Sequence, residues 1–216
     1  EITARRPIGL LEIEQIEFAN GVRALVWASD AEPGRVTVRV RFGAGQRAFD
    51  AETAIYAGLG ETALVGSGVG ELGQNELDRL ATGRKLGFDF GIDHAVFTFT
   101  GQTRPDDLAG QLYLFAAKLA MPRWDADPVL RAKAAAELAY STYATSPGGV
   151  LKRDLEYVAT GKDARFATPA PADLRGVTPE SFRAVWEPLL AEGPVEVMVF
   201  GDFDQQQVGE QLRVTF

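Results

Sequence analysis

The residues most able to do chemistry sit in the stretch "AIYAGLGETALVGSGVGELG", Ala54 to Gly73. Glu61 is an isolated carboxylate inside an apolar run of helical period. The same helical face carries Gly58 and Thr62, at the i, i+3, i+4 spacing that makes neighbours. A second carboxylate, Glu137, falls on a separate predicted helix. Behind Glu61, Gly68 to Gly73 reads as G-x-G-x-x-G. A dinucleotide fingerprint requires a strand entering those glycines and a helix leaving them, so that a pyrophosphate meets the helix N-terminus. Here the glycines follow a helical run, which favours a turn between two helices; Asp89, at about the fingerprint's acidic spacing, adds little.

Two further patterns resemble metal sites. His94 could ligate with Asp93 or Asp89, but it is the only histidine in a chain without cysteine. Zinc centres draw on several nitrogen or sulfur ligands, so a turn residue between two strands is the better reading of His94. The "GDFD" at 201–204 pairs Asp202 with Asp204, and a strand-ending turn with Asp204 capping the next helix accounts for it equally well.

The elements that would position these residues follow from period and punctuation. "LEIEQIEF" and "VRALVW" flank Asn20-Gly21, a strong hairpin signal. Val36, Val38, Val40 and Phe42 alternate with Thr37, Arg39 and Arg41 as a strand with one buried face. Helices are expected over 51–65 and 71–86, then strands through Phe88, Phe90 and Ile92 and over 95–100. Thr103-Arg-Pro-Asp106 resembles a capping box ahead of a stripe of Leu108, Leu112, Phe115, Ala116 and Leu119. Asp127-Pro128 opens a helix to about Tyr143, Ser146-Pro-Gly-Gly149 breaks the chain before another short helix, and Thr178-Pro179 starts one more. "VEVMVF" at 195–200 is apolar enough to be central in a sheet. Strands in hairpin order with segregated helices predict an α+β fold, mostly antiparallel with helices on one face. Residues 1–10 read as a linker and 11–216 as one domain.

Composition narrows the functions. The 216 residues are 46% hydrophobic and 24% charged, with formal charge −8 and basic residues grouped only in pairs, which argues against nucleic acid. No run of about 18 apolar residues exists to span a membrane. The absence of cysteine excludes disulfide and thiol chemistry. Because the chain opens on Glu1 and stops on "VTF", we expect a piece of a longer polypeptide with a truncated C-terminal end.

Over 11–204 the sequence resembles the insulinase/pitrilysin-type zinc peptidases, which include the mitochondrial processing peptidase. The resemblance rests on "FANGVRALVW", "AGLGETALVGSG", "ELDRLATGRKLGFDFGIDHAVFTFTG", "LAMPRWDADPVLRAKAAAE" and "VTPESFRAVWEPLLAEGPVEVMVFGDFD", in that order. Active modules of the family carry H-x-x-E-H on the helix after the third strand, with a distal Glu completing the zinc site and the motif Glu acting as general base. By this resemblance Gly58 and Thr62 stand at the two histidine positions, Glu61 at the base, and Glu137 near the distal ligand. Two carboxylates without imidazole are too few and too hard to fix a catalytic zinc.

The resemblance therefore implies a non-catalytic, structural and substrate-binding module of a larger bacterial zinc metallopeptidase that degrades peptides in a closed chamber. Zinc would lie in another module, and this chain would hold no metal or cofactor. The implied partners are other modules of the polypeptide and peptide substrates, with a homodimer left open, and the implied compartment is the periplasm rather than the cytoplasm. Two alternatives stand: a scaffold protein of the same fold with no peptidase activity in the parent, and a nucleotide-binding module using Gly68 to Gly73.

Overall fold

Side-chain alternation along the strands decides which face of the sheet is covered. In β4 (Val36–Phe42), Val36, Val38, Val40 and Phe42 are buried while Arg39 and Arg41 are exposed. The computed structural model, described for residues 1–9 and 11–216, places this strand within one seven-stranded sheet. Its other strands are β1 (Ile2–Ile8), β2 (Ile13–Phe18), β3 (Arg23–Ala28), β5 (Asp89–Ile92), β6 (Phe97–Thr103) and β7 (Glu196–Gly201), in the order β1-β2-β3-β7-β4-β6-β5. All neighbours pair antiparallel except β3 with β7. The helices are α1 (Ile55–Ala63), α2 (Gln74–Leu80), α3 (Leu108–Ala120), α4 (Ala126–Tyr143), α5 (Pro147–Ala159), α6 (Pro171–Leu174), α7 (Pro179–Leu190) and α8 (Gln205–Thr215). The expected α+β fold, antiparallel for the most part and helix-covered on one face, is the one observed. None of the helices described is long and apolar enough to cross a membrane.

Aromatic packing joins the sheet to the helices that carry the site. Phe42, Phe90, Phe97 and Phe99 stand on three adjacent strands with ring centroids 4.9 to 6.5 Å apart. Trp186 of α7, fully buried, packs on Phe49, Phe90 and Phe97 at 5.4 to 5.5 Å. Its indole N–H donates to the Tyr56 carbonyl at 2.9 Å, so the buried ring leaves no unpaired donor. Gly60 of α1 lies against this ring, and a Cβ there would overlap it. The glycine thus sets how closely α1 approaches the sheet.

Several boundaries differ from expectation. Residues 2–8, read as a linker, form edge strand β1, stapled to β2 by Arg6–Glu17 at 2.6 Å and Arg5–Glu14 at 3.4 Å; Pro7 is tolerated because an edge strand has a free side. Leu10, the last residue of that segment, lies outside the described residues. Thr103 forms no cap: it ends β6 and donates its hydroxyl to the Lys85 carbonyl at 2.6 Å. Asp107, not Asp106, does the local bonding, accepting from the Lys85 N–H at 2.8 Å. The first predicted helix begins only at Ile55, because Asp50 Oδ1 accepts from the N–H groups of Glu52 and Thr53 in an Asx turn. The second is confined to Gln74–Leu80. The hairpin, the helix start at Thr178 and the central place of β7 are as expected. Helix α5 begins earlier than expected, at Pro147, because Ser146 Oγ accepts from Gly149 N–H as its N-cap and draws Pro147-Gly-Gly149 into the first turn. After β7 the chain closes with α8, and Asn20 Nδ2 donates to the Phe216 carbonyl at 2.6 Å.

Candidate functional site

The helix bearing Glu61 is fixed at both ends. Its buried side, Ala57, Leu59, Gly60 and Ala63, packs inward, while Gly58, Glu61 and Thr62 face outward and are exposed. Beyond its C-terminus lies the ammonium of Lys118 from α3, only 5% exposed. It donates to the carbonyls of Leu64, at 3.0 Å, and Ser67, and stands 4.5 Å over the Phe88 ring. A cation here satisfies carbonyls that a helix end leaves free. Burial pushes its pKa down from 10.5 to about 8, with Asp125 opposing the shift.

The glycine turn that follows consumes its own backbone donors. Gly68 N–H meets Asp125 at 3.4 Å, Val69 N–H the Leu72 carbonyl at 2.9 Å, Gly70 N–H the Met121 carbonyl at 2.8 Å, and Leu72 N–H the Val69 carbonyl at 2.9 Å. A phosphate cradle needs such N–H groups free. The segment enters from α1 and not from a strand, as its context predicted.

Glu61 reaches across to the sheet. Its Oε1 accepts from the backbone N–H of Ile92 on β5 at 3.1 Å. Although the side chain keeps contact with solvent, the surrounding protein desolvates the carboxylate and raises its pKa; the Ile92 bond opposes this, and Asp89 and Asp93 add to it. Beside Glu61 opens a cavity of about 520 Å³, lined by Gly58 and Glu61 of α1, Asp93 and His94 of the β5–β6 turn, and Tyr143 and Glu156 across the opening, among others.

His94, distant from Glu61 in sequence, therefore shares a cavity with it. It remains a turn residue, its ring set edge-on to Phe166 at 5.5 Å and its carbonyl accepting from Arg47 N–H. Arg165 also lines the cavity, but its guanidinium is forked onto Asp163. Glu137, half-buried on α4, is not among the lining residues. Among the described residues no group of three or more His, Asp or Glu side chains is placed to hold a metal ion. Asp202 and Asp204 serve backbone instead, accepting from Gly34 N–H and Gln207 N–H at 2.8 Å each.

Sequence reasoning missed Tyr143 and Glu156, which become site residues only through the packing of α4 and α5. Lys118 and Gln111 were legible in principle. Both interrupt the apolar stripe of α3, and both are spent on backbone: Gln111 accepts from Gly87 N–H at 2.8 Å and donates to its carbonyl at 2.7 Å.

No family profile and no curated protein matches the sequence. Solved structures do. The periplasmic protease PqqL from Escherichia coli superposes on the whole chain with TM-score 0.84 at 16% identity. The fold is that of a protease module. The ferredoxin protease FusC also matches the whole chain, with TM-score 0.79 at 18% identity. A peptidase M16 inactive domain from Pseudomonas fluorescens matches 95% of it, with TM-score 0.75 at 19% identity. The chain spans 24% of PqqL, 24% of FusC and 50% of the Pseudomonas chain.

Proposed function

We propose that this chain is a non-catalytic, peptide-contacting module of a multi-module zinc peptidase of the insulinase/pitrilysin type. The observation that carries the reading is the state of the α1 face: Glu61 spends its carboxylate oxygen on Ile92 N–H, between a bare Gly58 and the small hydroxyl of Thr62. A donor set with no imidazole on that face does not fit zinc, and Glu137 lies outside the cavity lining. Hydrolysis is thereby assigned to another module, with this one supplying wall and substrate contact.

The contact surface is the outer edge of β5, the strand at one end of the sheet. Cavities open on both faces of this strand, one at Ile92, Asp93 and His94, the other at Asp89, Gly91 and Asp93 beside Arg39 and Arg41. An extended peptide added to β5 would direct alternate side chains into the two. FusC, a ferredoxin protease solved in complex with Arabidopsis ferredoxin, supports a polypeptide as the substrate, and the periplasmic PqqL supports that compartment. The test is direct: the chain incubated with zinc and unstructured peptides should bind peptide without cleaving it above a protein-free control. Zinc-dependent cleavage would refute the reading.

A further inference from the structure

The outward edge of β5 is not open in this structure. Two of its N–H groups are held by carboxylates: Ile92's by Glu61 at 3.1 Å and Phe90's by Asp89 at 2.9 Å. Because Ile92 donates to Glu61, its N–H is turned away from β6 and toward the position an added strand would take. Edge strands are commonly blunted by charged side chains that deny such pairing. Glu61 differs from an ordinary edge charge in coming from another element, α1, so that it can leave without disturbing β5.

We propose that Glu61 is an edge guard: its carboxylate occupies the Ile92 N–H that an incoming extended peptide needs, and peptide adds to β5 only by displacing it. This inference rests on the reading of β5 as the peptide-contacting edge. The guard is set to leave. Its carboxylate is desolvated and faces Asp89 and Asp93, while Arg165, the one lysine or arginine lining the cavity among the described residues, is engaged by Asp163. Moving the charge outward into solvent relieves burial and like-charge repulsion together. Gly91 in β5 has nothing within 4 Å of a Cβ placed on it, so the sheet face there leaves room for a side chain of a bound peptide.

The experiment compares the unmodified chain, Glu61→Gln and Glu61→Ala for binding a fluorescently labelled unstructured peptide, alongside amide exchange at Ile92. Glu61→Ala removes the guard and should bind about tenfold tighter, the worth of one charge-assisted hydrogen bond no longer to be broken. Glu61→Gln keeps an oxygen acceptor and should lie between the two. Ile92 should exchange faster in Glu61→Ala and become protected again when peptide is added, which a purely structural role would not produce. In the unmodified chain, peptide should also move the Glu61 carboxyl-carbon resonance, a readout that stands even where a variant folds poorly. Equal affinities with an unmoved carboxyl resonance overturn the guard and leave the peptide-contact reading standing. No peptide bound by any of the three overturns both.

Discussion

Lys118 gives the sharpest test of how this fold is held together. Its ammonium is 5% exposed and no carboxylate among the described residues bridges it; the closest compensating acid, Asp125, is engaged by Arg123 at 2.6 Å. A drop from 10.5 to about 8 corresponds to roughly 3 kcal/mol, at about 1.36 kcal/mol per unit. The sign follows from proton counts. Between about pH 8 and 10.5 the unfolded chain carries a proton on Lys118 that the native chain lacks, so stability contributed by this site rises with pH across that window. Below it both states are protonated and the full cost of burying the charge is present. Lys118→Met removes the charge but strands the carbonyls of Leu64 and Ser67, each at about 1–3 kcal/mol, a loss that does not depend on pH. The two effects oppose each other near neutrality, so one measurement at pH 7 decides little. Urea unfolding of both proteins through the window does decide. The difference, native chain minus Lys118→Met, should grow by about 3 kcal/mol, while groups common to both cancel. A difference that stays flat would refute the claim that Lys118 is buried as a cation.

Gly58→His with Thr62→His should raise zinc affinity by about two orders of magnitude, measured by calorimetry, since a Cβ at Gly58 meets nothing within 4 Å; no gain would count against α1 as the counterpart of a metal-bearing helix. Gly60→Ala should lower stability by about 1–3 kcal/mol in denaturant unfolding, because the new methyl meets the indole of Trp186, which is fully buried and cannot retreat. Glu61→Gln should be more stable than the native chain above the ordinary carboxylate range near 4.5. Its folded pKa is raised, so ionisation destabilises the native state as pH rises through that pKa, and the advantage should vanish in acid, as thermal melts across pH will show.

The sheet was legible because its information is local. Alternation in β4 and the Asn20-Gly21 hairpin need only neighbouring residues, and the apolar run Val197 to Phe200 of β7 marks the strand that lies between β3 and β4. β1 was not legible: exposed Thr3, Arg5 and Arg6 give it no apolar face of its own, and its pairing comes from Glu14 and Glu17 on the next strand. Thr103-Arg-Pro-Asp106 misled for a related reason. A threonine before a proline satisfies the capping pattern, but the competing acceptor, Lys85 O, arrives from a segment far back in the chain.

The site divides along the same line. Gly58, Glu61 and Thr62 could be placed on one face from spacing alone, and the glycine turn could be set aside because a helix precedes it. What Glu61 does could not be read, since a glutamate's role is decided by what faces it. Opposite two imidazoles it would polarise a metal-bound water; opposite Ile92 N–H it closes a strand edge. A glutamate with no imidazole beside it therefore need not be without a task. In this structure the Glu61 carboxylate meets the Ile92 N–H beside the cavity, and that bond alone gives the residue a task without any appeal to hydrolysis.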